Sequence, residues 1–250
     1  MTRFAFYLRE QVMPIYQLHP DYVGFPPRTQ FDDDRVAVGG DLRAQRLLEA
    51  YARGVFPWYN EPGKLHWYCP EERCVLPVSK VQVSHSMRSL LRKGELSFTI
   101  DSSFREVIEA CREGERQGQT WIHDEIVDAY TELHRIGVAH SLEVWLQGRL
   151  VGGLYGVSLG SMFFGESMFS RHANASKAAL IQLCGFLPTL GIEIVDCQVP
   201  NDHLLSMGAE VWRRDDFLNT LELAMKQETI NGTWKVKFER SISDETNNSL

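Results

Sequence analysis

The apolar positions of the chain switch between helical and strand periods, and turn residues mark the switches. The segment 25–34 holds Pro26, Pro27 and three consecutive Asp residues, which predicts a loop. Val36–Gly40 then leads to Asp41, an N-cap candidate. Leu42, Leu47, Leu48 and Tyr51 follow at near-helical spacing until Gly54 stops the helix. The segment 54–64, GVFPWYNEPGK, mixes aromatics with turn residues and reads as a loop. Short strands broken by Pro70 and Pro77 are expected over 65–83, a short helix over 84–93 and a strand over 96–100.

Two helices come next. One starts near Asp101 and carries Phe104, Val107, Ile108 and Cys111 on one face. The other starts near Asp124 and carries Ile126, Val127, Tyr130, Leu133 and His134, with Gly137 as its stop. Residues 141–146, 149–158 and 161–167 then read as an antiparallel meander with turns at Gln147-Gly148 and Leu159-Gly160. A long helix is expected over 174–187 and a strand over 192–199. A short helix, a turn and a strand follow within 201–214, then a helix over 215–227 and a late strand over 234–238. The polar end is expected to be a disordered tail. A meander followed by alternating helix and strand makes the fold class α+β with a mixed sheet.

The length of 250 residues allows one large domain or a domain with a smaller partner, and a second unit is expected to begin near residue 65. A hydrophobic fraction of 44% excludes wholesale disorder. Lys and Arg number 26 against 33 Asp and Glu, so 26 − 33 gives a net charge of −7. That excludes a protein that coats nucleic acid by bulk charge, though not one with a local basic patch. The first residues carry only a five-residue apolar run before Arg9, too short for a secretory signal, and no stretch is long and apolar enough to span a membrane. Five scattered cysteines fit reduced thiols in a cytoplasm. No extended apolar heptad is present, so a monomer is expected.

Candidate chemistry begins with three polar residues in apolar strand contexts. Glu166 ends an aromatic strand, where an unpaired carboxylate would be costly to bury. A strand period of two places Asp196 and Gln198 on one face with Ile192 and Ile194, so an apolar strand turns polar at its C-terminal end. An acid beside an amide can orient an amine or hydroxyl for general-base help. The bland alternative is that Glu166 pairs with Arg171 and Asp196 caps a turn. Trp58 and Trp121 lie outside obvious core positions and suit stacking on a base. Lys80, Arg88, Arg92 and Lys93 fall in a window with no acidic residue, either a solvated helix face or a phosphate-tracking patch. His66, Cys69, Cys74 and His85 have the residue types of a zinc site, but the C-x4-C spacing is loose and no second pair follows, so no metal is expected. GESMF lacks the last glycine of a nucleophile elbow, and no nucleotide phosphate loop is present. The glycines of GGLYG, residues 152–156, are read as sites of close approach to the strand.

Taken in order, GGDL (39–42), ARGVFPWYN (52–60), TWI (120–122), HSLEVW (140–145), GGLYGV (152–157), FGESMFSR (164–171), NASKAAL (174–180) and DCQVPNDH (196–203) resemble the leucyl/phenylalanyl-tRNA–protein transferase family. The resemblance runs from about residue 22 to about residue 225. It implies a small N-terminal α/β domain at 1–63, an N-acetyltransferase-like (GNAT) mixed-sheet catalytic domain at 64–240, and a disordered tail at 241–250. It also implies an aminoacyltransferase that moves Leu or Phe, and also Met, from aminoacyl-tRNA to the α-amino group of proteins beginning with Arg or Lys. That modification marks them for N-end rule degradation in the cytoplasm, and no cofactor is called for.

By the same resemblance Asp196, Gln198 and Glu166 form the reacting centre. Asp196 would hold Gln198 and help polarise or deprotonate the amine, Gln198 would hydrogen-bond the incoming amine or the ester carbonyl, and Glu166 would contact the aminoacyl ester or the donor's α-amine. Leu154, Phe163, Met168, Leu180, Leu183, Leu187 and Val195 would form the aminoacyl pocket. Trp58 and Trp121 would meet the terminal adenosine, and Arg88, Arg92 and Lys93 the tRNA backbone. A route in which the terminal adenosine carries the proton stays open. The acyl-CoA loop usual in N-acetyltransferases is missing, which counts against an acyl-CoA donor. A non-catalytic tRNA-binding module is the other alternative.

Overall fold

The computed structural model describes residues 15–31, 33–61, 64–114 and 121–247. The first fourteen residues of the lead-in, Thr120 of the TWI motif and residues 248–250 of the expected tail lie outside the described residues.

The N-terminal unit is a sheet of four strands with one helix. Strands β1 (Tyr16–Leu18) and β2 (Arg35–Gly39) pair in parallel; helix α1 (Ala44–Ala52) then leads to the β3 (Phe56–Glu61) and β4 (Lys64–Tyr68) hairpin. The order is β1-β2-β4-β3, so β3 is an edge. The segment expected as a loop at 54–64 is therefore largely strand. Pro57, the cause of that expectation, is tolerated because an edge strand need not donate on both sides. Helix α1 starts later than expected, because Asp41 caps no helix. Its carboxylate instead accepts from the Arg43 backbone N–H at 3.0 Å, ahead of the first helical residue. The expected break at 63/64 falls between two paired strands, and β4 belongs with β2 and β3.

The larger unit is a seven-stranded mixed sheet. Its elements are β5 (Glu72–Pro77), α2 (His85–Arg92), β6 (Leu96–Ile100), α3 (Phe104–Gly114) and α4 (Asp124–Arg135). The meander β7 (Ala139–Leu146), β8 (Arg149–Leu159) and β9 (Met162–Ser170) follows, then α5 (Ala175–Phe186). A 3₁₀ turn at Leu187–Leu190 leads to β10 (Ile194–Gln198), α6 (Asp202–Ser206), β11 (Glu210–Arg213) and α7 (Arg214–Ala224). The order is β11-β5-β10-β9-β8-β7-β6, and β10 runs parallel to β9 while its other partner, β5, is antiparallel. Meander, helix and parallel strand occur in the order expected, giving a mixed-sheet unit.

The chain ends differently from expectation. Lys235–Asn247 is helix α8, not a strand followed by a disordered tail. Trp234 and Phe238, four residues apart, put two buried aromatics on one helical face. The Trp234 backbone N–H donates to Asp101 at 2.8 Å, and its ring stacks on His140 at 3.6 Å between centroids.

Two apolar clusters flank the large sheet. Tyr155, Val157 and Phe164 face one cluster, shared with α3, α4, α7 and the N-terminal unit. Leu154 and Phe163 face the other, shared with α5 and α8. The alternation along β8 and β9 is what lets one sheet serve both clusters. Helix α5 is apolar enough to be buried along most of its length, and each fully buried Leu there contributes about 1.5–3 kcal/mol. It can lie close because β8 carries glycine: a Cβ on Gly152 would stand 2.5 Å from the Cβ of Ala175. None of the five cysteines forms a disulfide among the described residues, and four of them are buried.

Candidate active site

Strands β9 and β10 pair in register only as far as Phe164 and Asp196. Beyond that point each strand carries an irregularity. Between β8 and β9, Tyr155 opposes Ser167 and Gly156 opposes Gly165, so Glu166 is an extra residue on β9. Between β10 and β5, Asp196 opposes Val75 and Gln198 opposes Cys74, so Cys197 is an extra residue on β10. A bulge rotates the side chains that follow it, and two on neighbouring strands re-aim their ends. Gln198 completes the distortion with φ of 62°, a left-handed conformation that costs a non-glycine residue about 1 kcal/mol or more.

The side chains then bridge the gap that the ladder leaves. Gln198 Nε2 donates to Glu166 Oε1 at 2.8 Å. The other carboxylate oxygen, Oε2, accepts from the Tyr130 hydroxyl of α4 at 2.9 Å, and that hydroxyl is hydrogen-bonded to the Tyr51 hydroxyl of α1. Burial lifts the Glu166 carboxyl to about 7, against the hydrogen bonds from the two tyrosines, which pull it down. Burial likewise lifts both tyrosine hydroxyls well above their ordinary value, and the Glu166 charge adds to the effect, so both keep their protons.

Asp196 has a different place. Its carboxylate meets Arg73 of β5 through two hydrogen bonds, Nε to Oδ1 at 2.8 Å and Nη2 to Oδ2 at 2.6 Å. Both side chains are at most 1% exposed. The guanidinium is held between the rings of Phe56 and Phe217, at 4.9 and 4.4 Å from their centroids. Oδ1 of Asp196 also accepts from the Gln198 backbone N–H at 2.9 Å. The expectation that Asp196 and Gln198 share one strand face fails at the bulge. Asp196 lies behind the strand and pins the bulged backbone, while the Gln198 side chain turns toward Glu166.

Glu166 and Gln198 line a cavity of about 300 Å³. Six expected pocket residues, Leu154, Phe163, Met168, Leu180, Leu183 and Val195, line it as well. Leu187 does not, because it is fully buried in the 3₁₀ turn after α5. Trp58 of β3 and Trp121 at the entry to α4 complete the wall with Phe56 and Pro57, so the N-terminal unit contributes one side of the cavity. Cys197, Asn201 and His203 line it too and were not anticipated. The arrangement offers an apolar slot that ends on a carboxylate able to change charge near neutral pH. With Nε2 committed to Glu166, Gln198 Oε1 is the atom left to accept a substrate N–H.

Arg88, Arg92 and Lys93 are exposed on α2 and at its C-terminal end, and none of them lines the cavity. Lys80 of the same window is tied to Glu210. Glu166 does not pair with Arg171, which bonds Glu113 at 2.7 Å instead. Among the described residues, no group of three or more His, Cys, Asp and Glu side chains is placed to hold a metal ion, and no helix is long and apolar enough to cross a membrane.

Arg73, Tyr51 and Tyr130 are the contributors that the sequence reading did not single out. Arg73 had a signal, a charge inside the apolar strand segment RCVLP. Tyr51 and Tyr130 fit their helices' apolar faces, and nothing local indicates where a hydroxyl would find its partner.

The family model described as leucyl/phenylalanyl-tRNA protein transferase matches residues 75–222, and that of its N-terminal domain matches residues 40–71. The leucyl/phenylalanyl-tRNA–protein transferase of Myxococcus xanthus is 47% identical over 228 residues, covering 89% of this chain and 97% of the relative. Those of Anaeromyxobacter sp. strain K and Syntrophus aciditrophicus are each 46% identical, covering 90% and 89% of this chain and 97% and 94% of the relatives. Among solved structures, FemX aligns with a TM-score of 0.46 at 11% identity over 72% of this chain and 71% of its own. A GCN5-related N-acetyltransferase from Anabaena variabilis aligns with a TM-score of 0.40 at 11% identity over 64% and 40%. With both family models matched in order and 46–47% of the aligned residues identical in these relatives, the chain belongs to the leucyl/phenylalanyl-tRNA protein transferase family.

Proposed function

We propose that this aminoacyltransferase takes Leu, Phe or Met from aminoacyl-tRNA and joins it to the α-amino group of proteins that begin with Arg or Lys, marking them for N-end rule degradation in the cytoplasm. The observation that carries the reading is the apolar cavity closing onto the hydrogen-bonded Glu166–Gln198 pair. Its volume suits one apolar side chain, and its polar end suits an ester carbonyl and an attacking amine. The choice of Arg or Lys at the acceptor terminus rests on family resemblance.

The donor side chain fills the slot made by Leu154, Phe163, Leu180 and Leu183. Trp58 and Trp121 stack against the terminal adenosine. The neutral amine nitrogen forms its bond to the ester carbonyl carbon, and the carbon–oxygen bond to the ribose breaks with its electron pair on the leaving oxygen. Gln198 Oε1 accepts one N–H and orients the amine. Glu166 takes the amine proton and returns it to the leaving ribose oxygen, so charge and protons balance. The ester is already activated, so no nucleotide hydrolysis is required. Asp196 is assigned a positioning role: clamped by Arg73, it holds the backbone N–H of Gln198 and touches no reacting atom.

Labelled Leu-tRNA offered with an Arg-starting peptide and, separately, with a Glu-starting peptide tests the proposal. Incorporation into the Arg peptide alone is expected. No incorporation into either, or transfer from acetyl-CoA in a parallel reaction, overturns it.

A further inference from the structure

The Tyr51 and Tyr130 pair stands out because its hydroxyls lie in an apolar cluster without any need of packing. Both residues are at most 1% exposed and belong to the cluster shared by the N-terminal unit, α3 and α4. Phenylalanine at either position would fill nearly the same space without a polar atom to satisfy. The hydroxyls form a directed chain instead. Tyr130 donates to Glu166 Oε2 at 2.9 Å, so the proton shared with Tyr51 comes from Tyr51. Oε1 is left for Gln198 at 2.8 Å.

We propose that Tyr130, backed by Tyr51, is a positioning residue for aminoacyl transfer: the hydroxyl chain fixes Oε2 of Glu166 so that Oε1 and the Gln198 amide meet the substrates in one arrangement. The inference rests on the reading of Glu166 as the proton carrier. The chain also joins the two units. Tyr51 comes from α1 and Tyr130 from α4, while the carboxylate they hold belongs to β9. The N-terminal unit therefore helps set the reacting carboxylate as well as walling the cavity.

The groups around Glu166 set the sign of the effect. Tyr51 faces it from α1, Tyr130 from α4, Asp196 and Gln198 from β10, and Arg73 from β5, while Tyr155 of β8 lies edge-on to Tyr130 at 5.6 Å. Hydrogen bonds from the tyrosines favour the ionised carboxylate, and so does the Arg73 charge. Burial and the Asp196 charge oppose it. Removing the tyrosine hydroxyl removes a stabiliser of the anion, so Glu166 should stay protonated to higher pH.

The test is single-turnover leucine transfer from Leu-tRNA to an Arg-starting peptide across pH, for wild type, Tyr130→Phe, Tyr51→Phe and Glu166→Gln. The acceptor amine titrates identically in every reaction, so the change between variants is the readout. For Tyr130→Phe the acid limb of the rate profile should move up by about one pH unit or more, with about tenfold loss on the acid side, recovery at high pH and unchanged tRNA binding. Tyr51→Phe should move the limb the same way, since its hydrogen bond also favours the ionised carboxylate, and it keeps the question open to measurement if Tyr130→Phe fails to fold. A limb that stays in place while rates fall equally at all pH values overturns the inference. If Glu166→Gln transfers leucine at the wild-type rate, the reading of Glu166 fails instead. If Glu166→Gln is inactive and the tyrosine variants leave the limb in place, only the positioning role fails.

Discussion

Gln198 reaches Glu166 across two parallel strands that have stopped pairing, and the 2.8 Å bond from Nε2 to Oε1 replaces the backbone ladder that ended at Phe164 and Asp196. The bond joins residues 32 positions apart and forms only because both strands are bulged at that point. The site is thus a local failure of sheet geometry, held open by groups behind it.

Backbone strain at Gln198 gives a first separation of stability from function. Glycine adopts the left-handed region freely, so Gln198→Gly should unfold at the same temperature as wild type or slightly higher, within about 1 kcal/mol. The same variant should lose about 100-fold or more in transfer, because the oriented amide is gone. Thermal unfolding and single-turnover kinetics check the two halves independently.

The Arg73–Asp196 pair should behave as a structural clamp. Removing one partner leaves a buried charge alone, so Asp196→Asn or Arg73→Met should each cost about 3–5 kcal/mol of stability by denaturant unfolding. The double variant Arg73→Met with Asp196→Leu should recover much of that stability without recovering transfer, since no carboxylate then holds the Gln198 N–H. A double variant as active as wild type would show that the clamp is dispensable.

Burial of Glu166 carries a pH signature in stability. Its folded value of about 7 lies above the ordinary carboxylate range, so between that range and neutral pH the folded state binds more protons than the unfolded one. Stability from this group therefore falls as pH rises through that window. Glu166→Gln removes the dependence. Relative to wild type, the variant should gain stability steadily from about pH 5 to about pH 7.5, by one to a few kcal/mol in all, and then level off. Differential scanning calorimetry across that range reads the difference directly.

Much of this architecture is legible in the sequence, and the rest depends on contacts made at long range. The meander shows itself through period-two alternation and two glycine turns, and α5 through its apolar spacing. Glu166, Asp196 and Gln198 stand out as polar residues in apolar strands. The bulges do not show, because an extra residue on one strand is defined only by its partner, and so Asp196 looked like a neighbour of Gln198 on one face. Pro57 suggested a loop because nothing nearby says that its strand is an edge. Trp234 and Phe238 fit either a strand end or a helix face until His140 and Asp101 supply the partners.

Pocket shape should set side-chain preference. Leu183 and Leu180 border the slot, so Leu183→Phe should shrink it and disfavour phenylalanine over leucine. Apolar discrimination of about 1–3 kcal/mol per methylene sets the scale, roughly a tenfold to hundredfold change in the ratio of kcat/KM for Phe-tRNA to Leu-tRNA. Competition between the two donors in one reaction measures it.

The basic residues of α2 make a separable contribution. Arg88, Arg92 and Lys93 are exposed and make no ion pair among the described residues. If they track phosphates, replacing all three with Ala should weaken binding of every tRNA alike and reduce the slope of log affinity against log salt by about 2–3. An unchanged slope would return them to the role of a solvated helix face.

Transfer by the Glu166–Gln198 pair is open to one direct comparison. Single-turnover transfer of leucine from Leu-tRNA to an Arg-starting peptide is measured for wild type and Glu166→Gln, alongside Leu-tRNA affinity. If the pair carries the transfer, Glu166→Gln should bind Leu-tRNA within about twofold of wild type and transfer leucine about 100-fold or more slowly. Transfer by Glu166→Gln at the wild-type rate, with the same affinity, would contradict it.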